Sequence, residues 1–181
     1  MKELSLSPNH FHLFGIPVGF EIDLGDLSSR YLDLQRTSHP DRHGQATEGE
    51  RLLSMQLTAT INEGFHTLKD VLARASYLLE LQGIELRNDH NTRMDPLFLM
   101  EQMELREELS EVRQSPNPLA TLEKIKTLTE HRILALTAEY NKAYQAKNFV
   151  AAYEVVRKMQ FLYKLRQEVA DISSDLEDDL L

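Results

Sequence analysis

The sequence predicts an all-α protein: an N-terminal helical hairpin followed by a three-helix antiparallel bundle. Apolar residues recur at three- and four-residue spacing through most of the chain, which is the period of an amphipathic helix. No stretch alternates apolar and polar residues as a half-buried strand would. Gly and Pro number only 7 and 6 among 181 residues, so little in the chain interrupts helices.

Taken in order, residues 9–14 (NHFHLF) predict a short helical turn that Asn9 can cap and Gly15-Ile16-Pro17 ends. Asp23 can cap the next helix, which runs to about Arg36 and carries Leu24, Leu27, Tyr31 and Leu34 along one stripe. A tip from about Thr37 to Thr47 follows and contains His39-Pro40-Asp41. Pro40 cannot lie inside a continuous helix, and it biases His39 away from helical dihedrals. The tripeptide therefore reads as a stiff, polar connection with no role in a core. Thr47 or Glu48 opens a helix to about Lys69, with Leu53, Leu57, Ile61, Phe65 and Leu68 as its stripe. Asp70 restarts a shorter helix bearing Val71, Ala75, Leu78 and Leu79, with Gly83 as its C-cap.

Residues 85–95 (ELRNDHNTRMD) are polar, break the periodicity and read as a linker between domains at 1–84 and 96–181. Asp95 at the cap and Pro96 at the first position open a helix to about Gln114. Ser115-Pro116-Asn117-Pro118 is a turn before a long helix to about Lys147. Asn148 opens the last helix, expected to fray into the acidic run from Asp175 to Asp179. Three long helices with short connections should pack antiparallel.

Helical projection at about 100° per residue separates core from display. Phe98, Leu105, Leu109 and Val112 share one sector and face the bundle, while Leu99, Met100 and Met103 occupy another. Glu104, Glu107 and Glu111 border that second group. An apolar patch edged with acid, separate from the core stripe, suits the docking of a partner. In the last helix Ala152, Val155, Val156, Met159 and Tyr163 form the core stripe. Phe161 points elsewhere, among Arg157, Lys164 and Glu168, and is expected to be exposed.

Composition excludes several classes. A net charge of −9 without a basic stripe disfavours nucleic acid and favours protein partners with basic patches. The absence of cysteine excludes disulfides, thiolate nucleophiles and Cys-ligated metal within the chain, and no cofactor is expected. MKELSLSPNHF lacks the apolar run of a signal peptide, and no stretch approaches a membrane span, so a cytoplasmic protein without membrane contact is expected.

His39-Pro40-Asp41 between two helices, with Ile61-Asn62-Glu63-Gly64-Phe65 and Arg74-Ala75-Ser76-Tyr77-Leu78-Leu79 after it, resembles a J-domain. Phe98-Leu99-Met100-Glu101-Gln102 with Glu104-Leu105-Arg106-Glu107-Glu108-Leu109 resembles the C-terminal domain of the HscB co-chaperones of iron–sulfur cluster biogenesis. Arg157-Lys158, Phe161-Leu162 and Lys164-Leu165-Arg166 match that family's last helix, so the resemblance spans essentially the whole chain.

The resemblance implies that the J-domain stimulates ATP hydrolysis by a specialised DnaK-class chaperone, HscA. It implies that the C-terminal bundle binds the cluster scaffold IscU and delivers it. His39, Pro40 and Asp41 match the chaperone-contacting signature, and Leu99, Met100, Met103, Glu104, Glu107, Glu111 and Phe161 match the scaffold-binding positions. J-domains generally carry a strongly basic helix before this tripeptide, whereas here only Arg30 and Arg36 are present, with Arg42 just past it. A narrower electrostatic contact, dedicated to one partner, is expected. Some eukaryotic relatives add a cysteine-rich zinc module; its absence points to the bacterial form.

Three other readings compete. An enzyme using His39 and Asp41 as an acid/base pair lacks a nucleophile or pocket motif, so no catalytic residue is assigned. A metal site at His39 and His43, or at His10 and His12, lacks a third ligand, and none is assigned. A helical adaptor that binds scaffold without stimulating an ATPase is the remaining alternative.

Overall fold

Side-chain caps set most helix starts in this chain. The computed structural model describes residues 9–38, 47–86 and 94–178. Among them are seven α-helices and no strand: α1 (His10–Leu13), α2 (Leu24–Ser38), α3 (Glu48–Lys69), α4 (Val71–Glu80), α5 (Pro96–Ser110), α6 (Pro118–Gln145) and α7 (Phe149–Asp178). Asn9 accepts from the His12 N–H at 2.8 Å, and Asp23 from those of Gly25 and Asp26. Thr47 and Glu50 form a reciprocal capping box at α3, and Asp70 caps α4 at 2.7 Å from the Ala73 N–H. Asp95 and Asn117 cap α5 and α6, each followed by a proline whose missing N–H has no helical partner to lose.

The chain divides into two compact units, residues 1–83 and 84–181. In the first, α2 and α3 lie antiparallel around Leu27, Leu57, Ile61 and Leu68, with Leu78 and Leu79 of α4 buried beside them. Phe11 of α1 is fully buried, and Gly64 admits that helix: an added Cβ would sit 3.1 Å from the His10 ring and 3.2 Å from Phe14. Two expected stripe positions, Leu24 and Leu53, are exposed instead. Leu24 is the first residue of its helix. Leu53 falls away because four-residue steps overshoot a helical turn by about 40° each, so Ser54 takes the buried place.

In the second unit α5, α6 and α7 form the bundle. Lys124 reaches Glu108 at 2.7 Å and Arg132 reaches Glu101 at 3.0 Å, so α6 runs antiparallel to α5. Leu105, Leu109, Val112, Leu122, Ile125, Leu165 and Val169 make one apolar cluster. The helix expected to reach Gln114 ends at Ser110, and a 3-10 turn over Val112–Gln114 follows. That tightening keeps Val112 in the core while the chain reverses. The α7 helix does not fray at Asp175 but continues to Asp178, because Ile172 and Leu176 pack on the cluster and Arg113 pairs with Asp175 at 3.2 Å. Tyr163 is half-buried under Arg166, whose guanidinium lies 4.2 Å from the ring centroid. Leu162, Leu165 and Val169 fill the interior in its place, since α7 packs on two helices and needs a wider apolar face.

The α6–α7 connection closes with Lys147 at φ 55°, its N–H donating to the Tyr144 carbonyl and that of Asn148 to the Ala143 carbonyl. This double bond pattern caps the free carbonyls at a helix end.

Candidate functional site

Two surfaces follow from this scaffold, and each belongs to one unit. In the first unit the tripeptide His39-Pro40-Asp41 and Arg42 lie outside the described residues, but the helix ends that flank them are described. Midway along the helix pair the Tyr31 hydroxyl donates to Asn62 Oδ1 at 3.1 Å, and the Gln35 amide donates to the same oxygen at 2.9 Å. Further toward the tip, Ser54 Oγ donates to the Ser38 carbonyl in a buried bond. The Tyr31 ring stacks on Phe65 with centroids 4.0 Å apart. Polar groups at half-buried positions are thus satisfied across the helix pair, which fixes the spacing of the two ends. Projection of single helices did not disclose this lock; its signal was a polar Asn62 beside the apolar stripe.

The basic residues here differ. Arg30 works inside the unit: it pairs with Asp26 at 2.9 Å and donates to the carbonyls of Phe14 and Gly15 where α1 ends. Arg36 is well exposed, 3.4 Å from Asp33, so its charge is partly answered on its own helix. Arg74 is buried, donates to the Leu68 carbonyl and lies 5.2 Å from the Phe20 centroid. His10 stacks on Tyr77, whose hydroxyl accepts its backbone N–H at 3.0 Å. Burial holds the His10 imidazole below its ordinary pKa, against a smaller upward pull from Glu63 and Glu80. Burial likewise pushes the Tyr77 phenol up.

In the second unit Leu99, Met100 and Met103 are 37 %, 57 % and 73 % exposed, as helical projection expects. Asp95–Pro96 starts α5 at a fixed point, and the helix then presents these side chains one or two turns later. The acids of α5 divide in two. Glu101 and Glu108 are engaged by Arg132 and Lys124 of α6. Glu104, Glu107 and Glu111 are exposed and form no ion pair among the described residues. Among the described residues, three carboxylates without an ion pair thus stand beside an apolar patch.

Phe161 is half-buried rather than exposed. Its ring meets Phe98 edge-on, with centroids 6.2 Å apart and planes at 84°, while Lys158 Nζ stands 5.8 Å from the Phe98 centroid. Phe98, read as a core residue, is half-buried for the same reason. The α5/α7 seam brings the aromatic edge of Phe161 next to the helix that bears Leu99. Among the described residues, no cluster of three or more His, Cys, Asp or Glu is placed to hold a metal, and no helix is long and apolar enough to cross a membrane.

A polar-locked hairpin and a bundle with an acid-edged apolar face define an all-helical protein of two units, and comparison with known proteins gives it a family. A family model described as the HSCB C-terminal oligomerisation domain matches residues 94–170. The Co-chaperone protein HscB homolog of Vibrio cholerae serotype O1 (strain M66-2) is 42% identical over 172 residues, covering 93% of this chain and 98% of that protein. The solved structure of chaperone HscB from Vibrio cholerae superposes with a TM-score of 0.82 at 42% identity, over 96% of this chain and 99% of that one. Human co-chaperone protein HscB matches with a TM-score of 0.86 at 28% identity, over 93% and 83%. The chain belongs to the HscB family of co-chaperones.

Proposed function

We propose that this co-chaperone acts in iron–sulfur cluster biogenesis as a two-ended, cytoplasmic adaptor. The first unit, as a J-domain, engages a DnaK-class ATPase of the HscA type through His39, Pro40 and Asp41, with Arg36 and Arg42 beside them. Arg30 is the weakest of the basic candidates, because its guanidinium is engaged at the end of α1. Pro40 stiffens the tripeptide, so His39 and Asp41 are presented at low entropic cost. Docking biases the chaperone toward its hydrolysis-competent conformation through differential contacts, a population shift. The chain regulates a partner's ATPase and carries out no chemistry of its own.

The second unit binds the cluster scaffold, of the IscU type. Leu99, Met100, Met103 and Phe161 supply apolar anchors, and Glu104, Glu107 and Glu111 supply the charge complement to basic groups on the scaffold. The observation that carries the reading is the coincidence of family membership with an exposed patch whose three carboxylates form no ion pair among the described residues. The cluster travels on the scaffold as cargo and is not a resident cofactor here.

A steady-state ATPase assay tests both ends. Co-chaperone and scaffold together should stimulate the chaperone more than either alone, and His39→Gln should abolish stimulation while scaffold binding persists. A Leu99/Met103/Phe161 triple alanine variant should show the converse, weakening scaffold binding at least 100-fold, about 2.7 kcal/mol or more, in calorimetry. Stimulation that survives His39→Gln would remove the J-domain assignment. Unchanged scaffold affinity in the triple variant would move the docking face elsewhere.

A further inference from the structure

The α5/α7 seam is a ladder. Arg106 meets Glu168 at 3.4 Å and Arg113 meets Asp175 at 3.2 Å, each across 62 residues of sequence. At the same offset, within one residue, Phe98 meets Phe161, and Asp95 meets Lys158 at 4.0 Å. One rung is different. Gln102 falls between the aromatic rung and the Arg106 rung, opposite Lys164 and the fully buried Leu165. It is only 6 % exposed, yet its side-chain amide has no hydrogen-bond partner among the described residues. Its nitrogen and oxygen each retain a little solvent-facing area, so the amide tip opens onto the surface and the stem is enclosed.

A primary amide held this way meets only a sliver of water, so it is poorly solvated in an isolated bundle and carries part of the cost of a buried polar group. It offers two donors and an acceptor in a fixed place, one turn from Leu99 and one turn beyond the Phe98 that meets Phe161. An apolar residue would fill the same rung without that cost.

We infer that Gln102 is a specificity-determining residue of the docking face, pairing through its amide with a backbone N–H and C=O of the docked scaffold. This rests on the scaffold-docking reading above. The apolar anchors reward any greasy surface of the right shape, whereas an amide in an enclosed rung penalises a partner that leaves it unpaired. Discrimination of this kind is steeper than discrimination by hydrophobic fit.

The test is Gln102→Met, which keeps length and approximate volume but removes the amide, with Gln102→Leu as a second variant. Affinity for the apo scaffold should fall about tenfold, as for a lost hydrogen bond at an interface. The melting temperature should hold or rise, and stimulation of the ATPase without scaffold should not change. That opposed movement of stability and affinity is something a merely structural residue would not produce. The Gln102 side-chain NH2 resonances, assigned by their loss in Gln102→Met, should shift when scaffold is added. Affinity within twofold of the wild type in both variants, or unmoved NH2 resonances at saturation, overturns the proposal. Failure of the wild type itself to bind scaffold would overturn the docking reading instead, so the two failures are distinguishable.

Discussion

The two units join their helices by different means. In the first, α2 and α3 are tied by hydrogen bonds at half-buried and buried positions: Tyr31 and Gln35 onto Asn62, and Ser54 onto Ser38. In the second, α5 is clipped to its neighbours at the surface by Lys124–Glu108, Arg132–Glu101 and Arg106–Glu168, all with substantially exposed partners. Enclosed hydrogen bonds are expensive to leave half-made, whereas exposed ion pairs contribute little and weaken with salt. The difference suits the proposed roles. A tip that must present three residues to an ATPase benefits from fixed helix ends, while a face that grips a scaffold benefits from a helix that can adjust.

That contrast can be tested by breaking each kind of tie. Asn62→Ala removes the acceptor of the Tyr31 hydroxyl and leaves the Gln35 amide only its bond to the Tyr31 oxygen, and should cost the first unit about 2 kcal/mol in urea unfolding, with loss of ATPase stimulation in proportion. A cost below about 0.5 kcal/mol would mean that the lock is ornamental. A smaller effect, of opposite sign, is expected at the α6–α7 turn. Lys147 holds a left-handed backbone, so Lys147→Gly should raise the stability of the second unit by about 1 kcal/mol. Arg132→Gln should cost about 0.5 kcal/mol or less, and the loss should vanish in 1 M salt. A salt-independent loss would place that pair with the enclosed ties instead.

The pH response sharpens the same comparison and should be gentle. Folding holds His10 below its ordinary value of 6.5, so the unfolded chain takes up the proton first as pH falls. The stability contributed by neutral His10 is complete above that value and declines below it. The melting temperature of the first unit should therefore drop between pH 7 and pH 5, and His10→Gln should flatten the slope. A slope unchanged by that substitution would assign the effect to another group.

Most of the helices were legible in the sequence because caps and apolar period are local. Thr47, Asp70, Asp95-Pro96 and Asn117-Pro118 each announce a start within a few residues. The Leu99/Met100/Met103 patch was legible for the same reason, since one helix's projection determines it. What escaped depends on how helices meet. The half-burial of Phe161 requires Phe98 from another helix, the persistence of α7 to Asp178 requires Arg113, and Asn62 is informative only once Tyr31 and Gln35 face it. Gln102 sat in plain view within a recognised motif, but its missing partner is a property of register between α5 and α7.

The near-constant offset along that seam, 62 residues at the ion pairs of Arg106 and Arg113, also bears on how much sequence change the face tolerates. Leu99 and Phe161 come from distant stretches of chain, and their neighbourhood exists only while both helices keep count. A single residue inserted after Phe98 would turn the rest of α5 by about 100° relative to the aromatic rung, carrying Met103 and its acids out of alignment with Phe161. The same insertion in the α6–α7 turn would leave α5 and α7 in step. The seam thus behaves as a vernier: composition is free to drift along it, but length is not.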